Sequence, residues 1–167
     1  HSRIPGAVSI EKRSTKANRR SQVGHWETDV MEGRRGFQGA LSVTVERKTR
    51  YAILVPIQNK KAETMQKRLK HVQSWETCRK PVVRSITSDN GSENTRHREL
   101  AHELKANWYF CHPYHSWEKG TVENTIGRIR RYIPKGTPLH EYTKEQIQWL
   151  EDKMNNTPRK CLGWKTP

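Results

Sequence analysis

The sequence predicts an α/β fold built on a five-stranded mixed sheet, three antiparallel strands then two parallel ones, flanked by helices. Three observations carry this. Three runs with strand patterning follow one another across short turns between residues 25 and 55. Two further runs, at 82–87 and 107–110, are each preceded by a segment with helical spacing, the alternation that leads to parallel pairing. A length of 167 residues suits one hydrophobic core.

Taken in order, residues 25–30 form the first strand, which ends near the turn cluster Gly33-Arg34-Arg35-Gly36. Residues 40–45 alternate apolar and polar side chains and are rich in β-branched types, so they read as the second strand. A charged turn over 46–50 leads to a more buried strand over 51–55, and the three make an antiparallel meander. Met65, Leu69, Val72 and Trp75 recur at intervals of 4, 3 and 3, one face of a helix. Residues 82–87 are the fourth strand, stopped by Ser88-Asp89-Asn90-Gly91. Asn94 or Thr95 is placed to cap a short helix carrying Leu100 and Leu104. Residues 107–110 are the fifth strand. After a loop over 111–120, Val122, Ile126, Ile129 and Ile133 repeat at 4, 3 and 4, and Pro134 ends that helix. Thr143 with Gln146 spells a capping box for a last helix through Ile147, Leu150 and Met154. The order β-β-β-α-β-α-β-α-α matches the ribonuclease-H-like fold.

Composition narrows the partner. The chain has 32 Lys and Arg against 17 Asp and Glu, a formal charge of +15, and a pI near 10.1. Such an excess points to a polyanion, most often nucleic acid. Leu, Ile, Val and Phe number 29, about 17% of the chain, and so low a content with high charge marks disorder. Six Trp and five Tyr nevertheless need somewhere to pack. The disorder expectation therefore falls on residues 1–23, a basic N-terminal arm or linker, ahead of a folded core over 24–167. Residues 1–23 and 59–84 together hold +11 of the charge. No stretch approaches the ~18 apolar residues of a membrane span and no signal peptide leads the chain, so a cytoplasmic setting is expected. Cys78, Cys111 and Cys161 are odd in number and lack a CxxC pair, which indicates neither a disulfide framework nor a zinc ribbon. Cys111, His112 and His115 lack the second ligand pair of a zinc site.

Three acids fall at suggestive places. Asp29 is on the first strand, Asp89 just past the fourth, and Glu123 near the start of the following helix. First and fourth strands are neighbours in the expected topology, which brings the carboxylates together. Such a cluster repels itself unless a cation neutralises it, and two Mg²⁺ ions on oxygen ligands support phosphodiester displacement. On a helical wheel Gly127 and Arg130 lie near Glu123, Gly127 leaving room for close approach and Arg130 reaching a phosphate. The plainer alternative is that carboxylates often follow strands and that Asp-Asn-Gly is usually a turn.

The motifs settle the comparison. Gly24-His25-Trp26-Glu27-Thr28-Asp29, Thr87-Ser88-Asp89-Asn90-Gly91, Phe110-Cys111-His112-Pro113-Tyr114, Trp117-Glu118-Lys119-Gly120-Thr121-Val122-Glu123-Asn124 and Pro158-Arg159-Lys160-Cys161-Leu162-Gly163-Trp164 occur in that order. Together they resemble the catalytic domain of bacterial insertion-sequence transposases of the IS-thirty type, within the DDE transposase and retroviral-integrase superfamily. The resemblance runs from about Ile4 to Pro167. It implies a ribonuclease-H-like fold and a triad of Asp29, Asp89 and Glu123 with 33 residues between the last two. It further implies two Mg²⁺ (or Mn²⁺) ions per site on those acids, and a DNA cleavage and strand-transfer reaction. The implied partner is double-stranded DNA, element ends and target, bound by a homo-oligomer assembled at the bacterial nucleoid. Thr28 stands where the family usually has Gly, and His112 where it often has Asp. Nothing before Gly24 resembles the family's N-terminal helix-turn-helix region, and the chain begins at His1, so a catalytic-domain fragment is expected.

Candidate phosphate contacts are Lys60, Lys61, Lys67, Arg68 and Lys70, with Lys119, Arg128, Arg130 and Arg131; a solvated helix face is the alternative. Trp117 is set to stack on a base or pack in its loop, His25 to orient a carboxylate or pack, and Gly120 to allow the turn into the helix of Glu123. Asn124 has no assigned role. Two other functions use the same residues: a metal-dependent nuclease that cuts without joining, and an inactive DNA-binding or dimerisation remnant of a transposase.

Overall fold

Strand alternation gives this sheet an apolar surface on each side. The computed structural model describes residues 4–33, 39–57, 82–91 and 94–167. The strands are β1 (His25–Glu32), β2 (Ala40–Glu46), β3 (Ala52–Ile57), β4 (Ser85–Ser88) and β5 (Asn107–Phe110). They form one sheet in the order β3-β2-β1-β4-β5. β1 pairs antiparallel with β2, and β2 with β3; β1 pairs parallel with β4, and β4 with β5. This is the expected mixed sheet of a ribonuclease-H-like fold. The helices are α1 (Thr15–Asn18), α2 (His97–Leu104), α3 (Gly120–Ile129) and α4 (Lys144–Asn155). The expected helix through Met65 and Trp75 lies outside the described residues.

Side chains two apart on a strand share a face. On one face Met31, Leu41, Val43, Val45, Ala52 and Leu54 meet Val122 and Ile129 of α3 and Ile147, Leu150 and Met154 of α4. On the other, Trp26, Ile53, Ile86, Trp108 and Phe110 meet Leu100 of α2 and Ile4. Each such side chain, fully buried, contributes roughly 1.5–3 kcal/mol. A sparse aliphatic content suffices because the aromatics supply much of the second face.

Both sheet edges are partly closed. At β3, Asn155 of α4 accepts from the Ala52 amide and donates to its carbonyl, both at 2.8 Å. Glu151 accepts from the Leu54 amide at 2.6 Å. At β5, the Phe110 amide donates to the Val8 carbonyl at 2.8 Å, and Ser9 bridges Phe110 in parallel.

Residues 4–23, read from the sequence as a basic arm or linker, lie on the domain. Ile4, Ile10 and Ala17 are buried. Arg13 donates to Thr87 and Arg20 to Thr121. The stretch has few apolar residues, but three of them at contact points are enough to seat it.

Local signals fared unequally. Thr143 and Gln146 form the full capping box at α4. α2 starts one or two residues later than expected, with Arg96 at its cap and no side-chain capping bond. Asn94, expected as that cap, instead donates to the Asp89 carbonyl at 3.2 Å and to its carboxylate at 3.3 Å. α3 ends at Ile129, earlier than the apolar repeat through Ile133 suggested.

Candidate active site

The alternation that sorts the cores also aims the acids. Glu27, Asp29 and Met31 share a face of β1, and Met31 packs in the core under α3 and α4. β4 runs parallel beside β1 with Glu27 opposite Thr87. Asp89 follows Thr87 by two, so it leaves the carboxyl end of β4 on the same side. Ligand sites of open α/β sheets sit at this end of the strands.

Asp29 and Asp89 converge on one cation, the ammonium of Lys119. Its Nζ lies 2.9 Å from Asp29 Oδ2 and 3.4 Å from Asp89 Oδ2. The other oxygens are held: Asp29 Oδ1 accepts from the Val30 amide at 2.8 Å, and Asp89 Oδ1 from the Gly91 amide at 3.1 Å and from Asn94. Lys119 is buried. Burial lowers its pKa, but the two aspartates outweigh that and hold it above the ordinary lysine value. Lys119, expected among the outward phosphate contacts, thus points into the acidic pocket.

Glu123 follows Lys119 by four residues, in the first turn of α3 and next to the buried Val122. It is half-buried. It does not close with the aspartates into a trio within 4.8 Å; among the described residues that spacing is met by His112, His115 and Glu118.

Glu27 was missed by sequence reasoning. It is fully buried on β1. One carboxylate oxygen accepts from the Thr121 and Val122 amides, both at 2.9 Å, at the start of α3. The other pairs with buried Arg47, whose Nε donates to the Ala17 carbonyl. An anion at a helix N-terminus is stabilising. Glu27 thereby pins the helix of Glu123 to the strand of Asp29. Its signal was available in its position two residues before Asp29, on the same face.

Other expectations are relocated. Arg130 donates to the Glu32 carbonyl at 2.8 Å and reaches the Pro134 carbonyl, so it ties the end of β1 to the turn after α3 instead of reaching the acids. Gly127 is exposed, and an added Cβ would meet nothing within 4 Å. Gly120 has φ −55°, an ordinary helical value, so the turn does not depend on glycine there. His25 is buried, with Nδ1 2.7 Å from Ser85 Oγ, and packs at the β1–β4 seam. Thr28 faces away from Asp29 and meets Thr44 across the sheet at 3.1 Å. Trp117 is exposed, with its ring edge toward His115. Cys111 is buried, and burial pushes its thiol up to about 12, which keeps it protonated. Lys60, Lys61, Lys67, Arg68 and Lys70 lie outside the described residues.

Beside α3 is a basic cavity of about 540 Å³ lined by Arg20, Arg50, Thr121, Asn124, Arg128, Arg159 and Lys160. Asn124 accepts from Arg128 Nε at 3.2 Å and so sets that guanidinium's direction. Arg131 is exposed nearby on the chain. Arg20, Arg50 and the pair Arg159-Lys160 come from three separate segments, and no single charge run shows that they converge. Among the described residues, no helix is long and apolar enough to cross a membrane.

One aspartate on β1 and one just past the end of β4, beside a helix that carries a glutamate, on this sheet, define an integrase-type core. Residues 19–116 match the integrase core domain family, and the chain belongs to it. It is 40% identical over 165 residues to the transposase for insertion sequence element IS4351 of Bacteroides fragilis, covering 98% of this chain and 49% of that protein. It is 38% identical over 164 residues to the transposase for IS1086 of Cupriavidus metallidurans, covering 98% and 48%. It is 35% identical over 164 residues to transposase InsI for IS30A of Escherichia coli, covering 98% and 42%. The motif resemblance is borne out. The chain spans about half the length of the curated relatives it matches. Its fold is also that of a chain in the cryo-EM structure of the simian T-cell lymphotropic virus intasome in complex with PP2A regulatory subunit B56 gamma. There the TM-score is 0.67 and the identity 16%, over 86% of this chain and 52% of that one.

Proposed function

We propose that this chain is a DDE-type transposase catalytic domain that cuts DNA and joins the cut end to a second strand, using divalent cations held by Asp29, Asp89 and Glu123. One observation carries the reading: a carboxylate on β1 and another just past β4 aim their Oδ2 atoms at a single positive charge, 2.9 and 3.4 Å away. The donor set fits a hard ion, since each aspartate has its Oδ1 tied within the protein and presents Oδ2 to a shared point, and all-oxygen sets suit Mg²⁺ or Mn²⁺. When bound, such ions neutralise the acids and stabilise charge on the attacking and leaving oxygens of a phosphodiester.

Asp29 and Asp89 hold their spacing because β1 and β4 are hydrogen-bonded neighbours. Glu123 brings the third carboxylate from α3, which Glu27 anchors. Lys119 carries the counter-charge between the aspartates and, in the loaded domain, turns to a DNA phosphate. In cleavage a water oxygen attacks phosphorus in line, the bond to the 3′-oxygen breaks, and a 3′-hydroxyl is released. In joining, that hydroxyl attacks a phosphodiester of the second strand, so one P–O bond forms as another breaks. The protein contributes positioning and charge. Arg20, Arg50, Arg128, Arg159 and Lys160 track the backbone, and Lys60, Lys61, Lys67, Arg68, Lys70 and Arg131 are further phosphate contacts. The active form is a homo-oligomer on element ends and target in the bacterial cytoplasm, with residues 24–167 as the catalytic core.

The test uses purified chain, Mg²⁺ or Mn²⁺, and labelled duplex carrying the inverted repeats that flank its gene. Asp29→Asn and Asp89→Asn should each cut cleavage by about 100-fold or more while leaving DNA binding within a few-fold of wild type. Equal nicking by wild type and variants overturns the assignment. A pre-cut end that is never joined would leave a nuclease, and no cleavage with either metal would leave a binding or dimerisation module.

A further inference from the structure

The turn that delivers Lys119 carries a second constellation, chemically unlike the acidic pocket. Residues 112, 115 and 118 are spaced by three. The His115 amide donates to the His112 carbonyl and the Glu118 amide to the His115 carbonyl, both at 3.1 Å. The second closure opens the 3-10 turn Ser116–Lys119, in which side chains three apart eclipse. Tyr114, at φ +64°, takes the left-handed conformation within the first closure and turns the chain into the second. The result is that His112, His115 and Glu118 each offer a ligand atom within 4.8 Å of the others. His112 Nδ1 is 2.8 Å from Glu118 Oε1, and the two imidazole rings stand edge to face, 5.4 Å apart at 82°. His115 Nδ1 is buried with no hydrogen-bond partner.

A further contact has the form of a metal site's outer layer. His112 Nε2, the nitrogen pointing away from Glu118, lies 3.3 Å from Glu11 Oε1. Metal-bound imidazoles characteristically donate their other N–H to a carboxylate, which fixes the tautomer and strengthens the ligand. Glu11 comes from the 3-10 turn Ile10–Lys12, about a hundred residues away in sequence. The Glu118 carboxylate is itself held by the His112 amide at 2.8 Å.

We infer that His112, His115 and Glu118 form a transition-metal site, supported by Glu11 and separate from Asp29 and Asp89. Two imidazoles and one carboxylate suit a borderline ion such as Zn²⁺ or Co²⁺, whereas Mg²⁺ seeks oxygen. A metal here fastens the turn before α3 to the N-terminal segment. It thus fixes the base of Lys119 without entering the acidic pocket.

The experiment titrates Co²⁺, then competing Zn²⁺, into metal-stripped chain carrying Asp29→Asn, Asp89→Asn and Glu123→Gln, so that the acidic pocket contributes no ligand. One equivalent of Co²⁺ should bind, with visible d–d bands that Zn²⁺ bleaches. His115→Asn and Glu118→Gln should each weaken binding by at least tenfold. Glu11→Gln, at an exposed position that does not endanger folding, should weaken it about tenfold. A readout on the same chain without these three changes is a paramagnetically shifted, exchangeable imidazole N–H resonance, assigned to His112 Nε2–H, that disappears with Glu11→Gln. Absence of stoichiometric Co²⁺ binding, or binding unchanged by all three substitutions, overturns the proposal. These outcomes are independent of DNA cleavage.

Discussion

Two glutamates illustrate how differently a buried carboxylate can act. Glu27 is paired with Arg47 and receives two amides of α3, so removing its charge strands a buried guanidinium. Glu27→Gln should cost about 3–5 kcal/mol of unfolding free energy, measured by urea denaturation. Among the described residues Glu151 forms no ion pair of that kind. Burial raises its pKa, with the bonds from Leu54 and Gln148 opposing. A carboxyl raised in the folded state binds more protons there than in the unfolded chain. Its contribution is therefore greatest below the unfolded pKa and declines as pH rises through the folded value. Glu151→Gln, whose amide oxygen still accepts from Leu54, should raise the urea midpoint at pH 7 and converge with wild type near pH 4. A midpoint gap of equal size at both pH values would contradict this. The sequence singled out Asp29, Asp89 and Glu123 through motif and position. It hid the roles of Glu27 and Lys119, because which side of β1 faces α3, and how deep Lys119 reaches, depend on packing between segments 94 residues apart for Glu27 and 30 and 90 apart for Lys119.

At the level of elements, legibility followed the locality of the signal. The capping box at α4 involves four consecutive positions, and it formed as read. Thr143→Ala should destabilise the domain by about 1 kcal/mol, read as a lower thermal midpoint with unchanged DNA binding. The start of α2 was misread because Asn94 has a competing tertiary use, bracing the loop that presents Asp89. Asn94→Ala should therefore spare α2 and instead loosen that loop. The expected signature is faster amide exchange at Gly91, with helical circular dichroism unchanged. The end of α3 was misread for a related reason. Ile133 is buried in the same core as Ile129, but it reaches there from the turn beyond the helix.

For the whole molecule, charge is arranged rather than merely plentiful. The basic cavity flanks α3 on one side of the helix carrying Glu123, and the acidic pocket holds its lysine inside. DNA affinity should fall steeply with salt. Arg128→Ala and Lys160→Ala should each reduce the slope of log K against log salt by about 1, uniformly across sequences. Slopes unchanged by both substitutions would place the DNA elsewhere. The net charge of +15 foretold a polyanion, but the cavity is assembled from residues 20, 50, 128, 159 and 160, and linear charge counting cannot see that convergence.

The seal that α4 places on β3 also sets an order of events. Asn155 and Glu151 lie 103 and 97 residues beyond the backbone groups they satisfy. During synthesis at roughly 5–20 residues per second, the hairpin of β2 and β3 therefore waits several seconds with an open, hydrogen-bond-hungry margin. Nascent chains released before Glu151 should self-associate through that margin, so ribosome-bound intermediates of this domain are natural clients for chaperones that shield exposed strands.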